Sequence, residues 1–197
     1  MKAIIFDFDG VIHDDFELAY QINAKVLGKK FTREKYRDFF DGNIYKHPEV
    51  TKEGTAKYFK MQNEVFKHLV LEEKIKKFLK KLSKSYPLFI ISSNSEATLN
   101  LYFANNKFIN IFKEILGVET HKSKTKKFYY LFNKYKFKPA ECIFVTDTLG
   151  DILEGHRVGV KTIAVDFGFH DRKRLAKGKP FKIVSSFDEI FEILKVV

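Results

Sequence analysis

The N-terminal stretch AIIFDFDGV, residues 3–11, sets two carboxylates, Asp7 and Asp9, directly behind a run of apolar residues. That run is continuous rather than alternating, the pattern of a strand covered on both faces. A buried strand is therefore expected over residues 3–8. The Asp-x-Asp-Gly behind it has two readings. It can be a solvated turn, whose backbone Asp and Gly accept readily. It can also be part of a metal-dependent site. The rest of the chain decides between them.

Outward from this stretch the same apolar texture recurs over 88–91, 111–118, 142–146, 161–165 and 181–184. Between those runs, residues 72–83, 95–105, 124–135, 149–158 and 187–194 space their apolar side chains three and four apart, as amphipathic helices do. Alternation of strand and helix predicts an α/β fold, a Rossmann-like parallel sheet flanked by helices. Residues 14–71 break the alternation. They hold helical patterns in FELAYQINAKVLG and TAKYFKMQNEVFKHLV, a turn at Asp41 to Asn43, and no convincing strand. A small α-helical cap inserted after the first strand is expected there, with the α/β core formed by 1–13 and 72–197.

Ligands of open parallel sheets gather at the carboxyl ends of the strands. Behind the first expected strand stand Asp7, Asp9 and Gly10; behind the second, Ser92, Ser93 and Asn94. Lys122 and Lys124 follow the third, and Asp147 and Asp151 follow the fourth. Singly, each is an ordinary turn residue, helix cap or solvated charge. Parallel strands would bring all of them to one edge. Several carboxylates at one point repel, and burial would drive protons onto them. A hard divalent cation relieves this, and Mg²⁺ suits a site that also takes phosphate. A serine hydroxyl, helix-start N–H groups and a lysine form the anion-binding counterpart. The combination describes a phosphoryl-transfer site.

Through FDFDGV, IISSN, SKTKKF and VTDTLGDI, in that order, the chain resembles the haloacid dehalogenase superfamily, in its phosphatase branch with a helical cap. The resemblance implies Asp7 as the nucleophile that becomes an aspartyl phosphate. It implies Asp9 as the acid that protonates the leaving alcohol and then the base that activates water. Ser93 and the Asn94 backbone N–H would hold the phosphoryl group, with Gly10 beside it; Ser92 is the alternative to Ser93. Mg²⁺ would be met by Asp7, Asp9, Asp147, Asp151 and the backbone carbonyl of Phe8. Lys124 would neutralise the nucleophile, with Ser123 as its helix cap, and Lys122 is the alternative. Asp9 separates this chain from dehalogenase members, whose halide leaving group needs no proton. The implied reaction is hydrolysis of small phosphate monoesters such as phosphoglycolate; a sugar phosphomutase of the β-phosphoglucomutase type is the alternative. Asn43, Lys46 and His47 are the cap positions to examine for specificity. His13 and His170 are expected at the surface or in loops rather than as ligands.

Lys and Arg total 36 against 25 Asp and Glu, a formal net charge of +11. That excess would suit an anionic partner, and a nucleic-acid-binding or end-processing protein is the rival of another class. The lysines are spread along the chain, as on a solvated surface, and no zinc ligand set, aromatic-and-basic sheet motif or recognition helix supports nucleic acid. The one sustained basic cluster is THKSKTKK, residues 120–127. The expected partner is a small phosphorylated metabolite, and the expected assembly a monomer or homodimer. The single cysteine, Cys142, suits a reducing cytoplasm and a buried position. No signal peptide or membrane-spanning stretch is visible.

Overall fold

The computed structural model describes residues 1–196; Val197, the last residue of the expected core, lies outside them. Six strands, β1 (Ala3–Phe6), β2 (Leu88–Ile91), β3 (Phe112–Leu116), β4 (Cys142–Thr146), β5 (Lys161–Val165) and β6 (Lys182–Val184), form one sheet. Their order is β3-β2-β1-β4-β5-β6, and every pair is parallel. The order reverses between β1 and β4, so the carboxyl ends of these two strands flank the switch-point crevice.

Every residue of β1, β2 and β4 is buried. Side-chain alternation splits β1 between two layers. Ile4 and Phe6 meet the apolar stripes of α4 (Glu73–Ser83), α5 (Glu96–Asn105) and α9 (Phe187–Leu194). Ala3 and Ile5 meet Phe128, Leu131 and Phe132 of α6 (Lys124–Tyr135) on the other face. The stripe of α4 is Ile75, Phe78, Leu79 and Leu82, spaced as one face of a helix requires.

β1 is shorter than the apolar run suggested because the chain turns away at once. The Phe8 carbonyl accepts the N–H groups of Val11, Ile12 and His13 at 3.2, 2.8 and 3.2 Å. The expected third strand over 111–118 also contracts, to β3. Beyond α7 (Leu149–Val158), one short helix, α8 (Arg172–Ala176), had no periodic signal; Leu175 is its sole buried residue.

Residues 16–66 hold α1 (Phe16–Leu27), α2 (Arg33–Arg37), 3-10 turns at Asp38–Phe40 and Ile44–Lys46, and α3 (Lys52–Phe66), with no strand. Their own core is aromatic: Tyr36 and Phe39 are buried among Phe16, Tyr20, Phe31 and Phe40. Phe169, from the loop after β5, joins this cluster. Among the described residues no helix is long and apolar enough to cross a membrane.

Candidate active site

Asp7 leaves β1 with its N–H donated to the Val145 carbonyl at 2.8 Å, which stands it between the ends of β1 and β4. Its Oδ1 accepts the Phe8 N–H at 2.8 Å. Its Oδ2 lies 2.7 Å from Nζ of Lys124, the first residue of α6. The same ammonium donates to Asp151 Oδ2, and Thr146 Oγ1 donates to that oxygen at 2.8 Å. One lysine, 2% exposed, thus joins two buried carboxylates.

Burial works against the charge on Lys124, yet Asp151 and Asp7 hold its ammonium above the ordinary lysine range. Burial raises the Asp7 carboxyl; Lys124 opposes the rise, and Asp151 and Asp147 add to it. For Asp151 burial is outweighed by Lys124 and by hydrogen bonds, and the carboxyl stays below its usual range. Removing one partner from such a buried set leaves charge uncompensated.

Asp9 is held by the second strand's end. Ser92 Oγ donates to its Oδ2 at 3.2 Å and Asn94 Nδ2 to its Oδ1 at 3.0 Å. Ser92 therefore positions Asp9, while Ser93 lines the cavity itself. The two amides expected at a phosphate are engaged: the Asn94 N–H donates to Ser92 Oγ at 2.9 Å and the Gly10 N–H to the His13 carbonyl at 2.8 Å. Gly10 has a packing role. Its φ is +71°, and a Cβ there would lie 1.9 Å from Asp147 Oδ2.

Asp147 is fully buried. Its Oδ2 accepts the Phe169 N–H at 2.7 Å, while Oδ1 is buried without a partner. Burial pushes this carboxyl up to about 8, against the pull of the Phe169 amide. An orphaned carboxylate oxygen beside other acids fits a hard divalent cation. The Phe8 carbonyl already accepts the N–H groups of residues 11–13. Asp151 faces Lys124 and Thr146, and Asp9 faces Ser92 and Asn94. Among the described residues no three His, Cys, Asp or Glu side chains form a finished cage. Asp147 is the carboxylate with a buried oxygen left for a cation that keeps several waters, as Mg²⁺ does.

Asp7, Asp9, Ser93, Lys124, Asp147 and Asp151 line one cavity of about 30 Å³. Phe40, Gly42, Asn43 and Ile44 of the helical segment line it as well. Lys122, the alternative lysine, is exposed, with its ammonium 5.3 Å from the Tyr45 ring centroid.

Several residues were misread or missed. Lys127 is fully buried, one turn beyond Lys124 on the same helix face. It donates to the carbonyls of Ser92 and, at 3.0 Å, Gly117, tying the ends of β2 and β3 together. Burial, with Lys124 nearby, pushes its ammonium down to about 7. The basic cluster thus hides two lysines in the interior, and their i, i+3 spacing was the available signal. Ser123 does not cap α6: its Oγ donates to buried Glu154 at 2.7 Å. Asn43 Nδ2 reaches the same Glu154 at 3.2 Å and the Lys122 carbonyl at 3.0 Å. Lys46 is exposed, and His47 stacks on Phe39 with centroids 3.8 Å apart; neither lines a site cavity. His170 is fully buried, accepting the Leu149 N–H at 3.0 Å and pairing with the Arg37 carbonyl at 3.0 Å. His13, half-buried, pairs with the Tyr102 hydroxyl at 3.0 Å.

Residues 4–165 match the family model of haloacid dehalogenase-like hydrolases. The chain belongs to that family. Phosphoglycolate phosphatase of Haemophilus influenzae is 25% identical over 114 residues, 56% of this chain and 51% of the relative, so the chain spans about half of that relative's length in the match. Phosphoglycolate phosphatase of Synechococcus elongatus is 24% identical over 192 residues, covering 91% of each. Among solved structures, a haloacid dehalogenase-like hydrolase of Streptococcus pneumoniae superposes with a TM-score of 0.81 at 22% identity, covering 98% of both chains. CbbY of Rhodobacter sphaeroides, solved with phosphate, gives 0.73 at 15% identity over 96% of both. At these identities the structural likeness speaks for the fold.

Proposed function

We propose that this protein is a Mg²⁺-dependent phosphatase of small phosphate monoesters. The observation that carries the reading is the meeting of Asp7, Asp9, Lys124, Asp147 and Ser93 on one small cavity at the switch point of the sheet. An Asp7 oxygen attacks phosphorus, the bond from phosphorus to the ester oxygen breaks, and an aspartyl phosphate forms. Asp9, oriented by Ser92 and Asn94, gives its proton to the departing alkoxide. It then takes a proton from water, which attacks phosphorus, releasing inorganic phosphate and restoring Asp7. Lys124 stays charged beside Asp7 and offsets the negative charge gathered there. Mg²⁺ held at Asp147 would act as a Lewis acid on the phosphoryl oxygens. The helical segment, residues 14–71, serves as a cap that excludes water from the first step. A lone buried cysteine accords with a cytoplasmic setting.

The relatives' names make phosphoglycolate the first natural compound to assay. The decisive experiment uses p-nitrophenyl phosphate with Mg²⁺. Asp7→Asn should lower kcat by about 10⁴-fold or more, and acid-quenched wild type should carry labelled phosphate on Asp7. Wild-type turnover by Asp7→Asn overturns the assignment.

A further inference from the structure

A second cavity, of about 80 Å³, adjoins the catalytic one: Asp9, Phe40, Ile44, Ser93 and Phe169 line both. The core contributes Asp9, Ser93, Asn94 and Phe169 to its wall, and the helical segment contributes the rest. Space of this size holds roughly five waters at ~15 Å³ each, so it is room for a compact organic group. It lies beside Asp9, the residue that protonates the leaving alcohol in the proposed reaction. A substrate with its phosphorus at Asp7 would therefore extend its alcohol portion into this space.

The wall is unsuited to an anion. Val26, Leu27, Val50, Tyr36, Tyr58 and Phe59 make up much of it. No Lys or Arg is among its lining residues, whereas Glu49 and Asp9 are. Glu49 spends its charge on Lys29 at 2.7 Å, an ion pair on the exposed side of the segment. A carboxylate placed inside would lose its water and find no lining cation in its place, a costly exchange.

Resting on the phosphatase reading, we propose that the preferred substrate carries its phosphate on an uncharged, largely apolar alcohol, and that a carboxylate such as phosphoglycolate is discriminated against. Three nearly isosteric esters test this on the wild-type protein with Mg²⁺: propyl phosphate, 2-hydroxyethyl phosphate and phosphoglycolate. Both uncharged esters should exceed phosphoglycolate in kcat/KM by at least about tenfold. Equal or higher efficiency with phosphoglycolate overturns this inference and leaves the phosphatase reading standing. Absence of turnover of all three and of p-nitrophenyl phosphate overturns both.

Discussion

β1, β2 and β4 bury every residue, whereas α1 buries Ala19 and Ile22 of its 12 residues and α3 buries Gln62 and Phe66 of its 15. The sheet is closed on both faces by aliphatic and phenyl side chains, and its ionised groups sit at one edge. The helical segment has half-buried rings, and polar ties help fasten it to the sheet domain. Arg37 Nε donates to the Phe169 carbonyl at 2.7 Å, Asn43 reaches Glu154, and the Tyr45 hydroxyl donates to the Ser93 carbonyl. Arg174 bonds Glu34 at 2.7 Å and Asp38 at 2.9 Å. Hydrogen bonds can be exchanged for water at small net cost, and buried sheet contacts cannot. The contrast sets a sheet edge fixed by buried packing against a segment fastened in part by exchangeable polar bonds.

The largest effect tests the rigid edge. Lys124→Met should lower kcat on p-nitrophenyl phosphate by about 10³-fold and reduce stability by about 3 kcal/mol, because Asp7 and Asp151 lose their shared cation. Activity assays and urea midpoints read the two effects. Unchanged stability would mean that the pair of acids needs no partner.

Next comes the aromatic core of the segment. Tyr36→Ala removes a side chain 1% exposed that packs against Phe16, Tyr20 and Phe39. A loss of about 3–5 kcal/mol is expected locally. Hydrogen exchange should quicken across α1 to α3 before it does in β1 and β4. Uniform quickening would dissolve the distinction between the two regions.

A pH experiment reads the edge without touching the segment. The Asp147 carboxyl is raised to about 8 in the metal-free fold, from an ordinary value near 3.8. Between these values the folded state binds more protons than the unfolded state, so this group's contribution to stability falls as pH rises. The stability difference between wild type and Asp147→Asn isolates that group. It should decline for the wild type from pH 4 to pH 8 without metal, and saturating Mg²⁺ should offset the decline by occupying Asp147. A flat difference would show that Asp147 is ionised in the apo fold.

The smallest expected effect concerns the ties. Asn43→Ala cuts the bonds to Glu154 and the Lys122 carbonyl. It should raise KM a few-fold and cost about 1 kcal/mol, with kcat falling less. A collapse of kcat instead would place Asn43 in the chemistry.

Much of the sheet was legible because a strand covered on both faces leaves a continuous apolar run, and β2, β4 and β5 appear at the expected residues. Their ends pointed to Asp7, Asp9, Ser93 and Asp147 by topology alone. Glu154 was not legible as an interior group, because a charged side chain on a helix is solvated unless a neighbouring element closes over it, and for Lys127 the spacing from Lys124 was the one hint of burial. Phe8 illustrates the same limit at the backbone. The family resemblance implied a free carbonyl there, but the direction of that carbonyl depends on three amides that follow it.

By itself the sequence determined the alternation of strands and helices and which residue types stand at the strand ends, since periodicity and chain order are local properties. Tertiary structure alone decided which lysine reaches Asp7, which carboxylate oxygen is left unpaired, and that the wall facing Asp9 is apolar. Those outcomes depend on the burial and direction of side chains contributed by elements far apart in the chain.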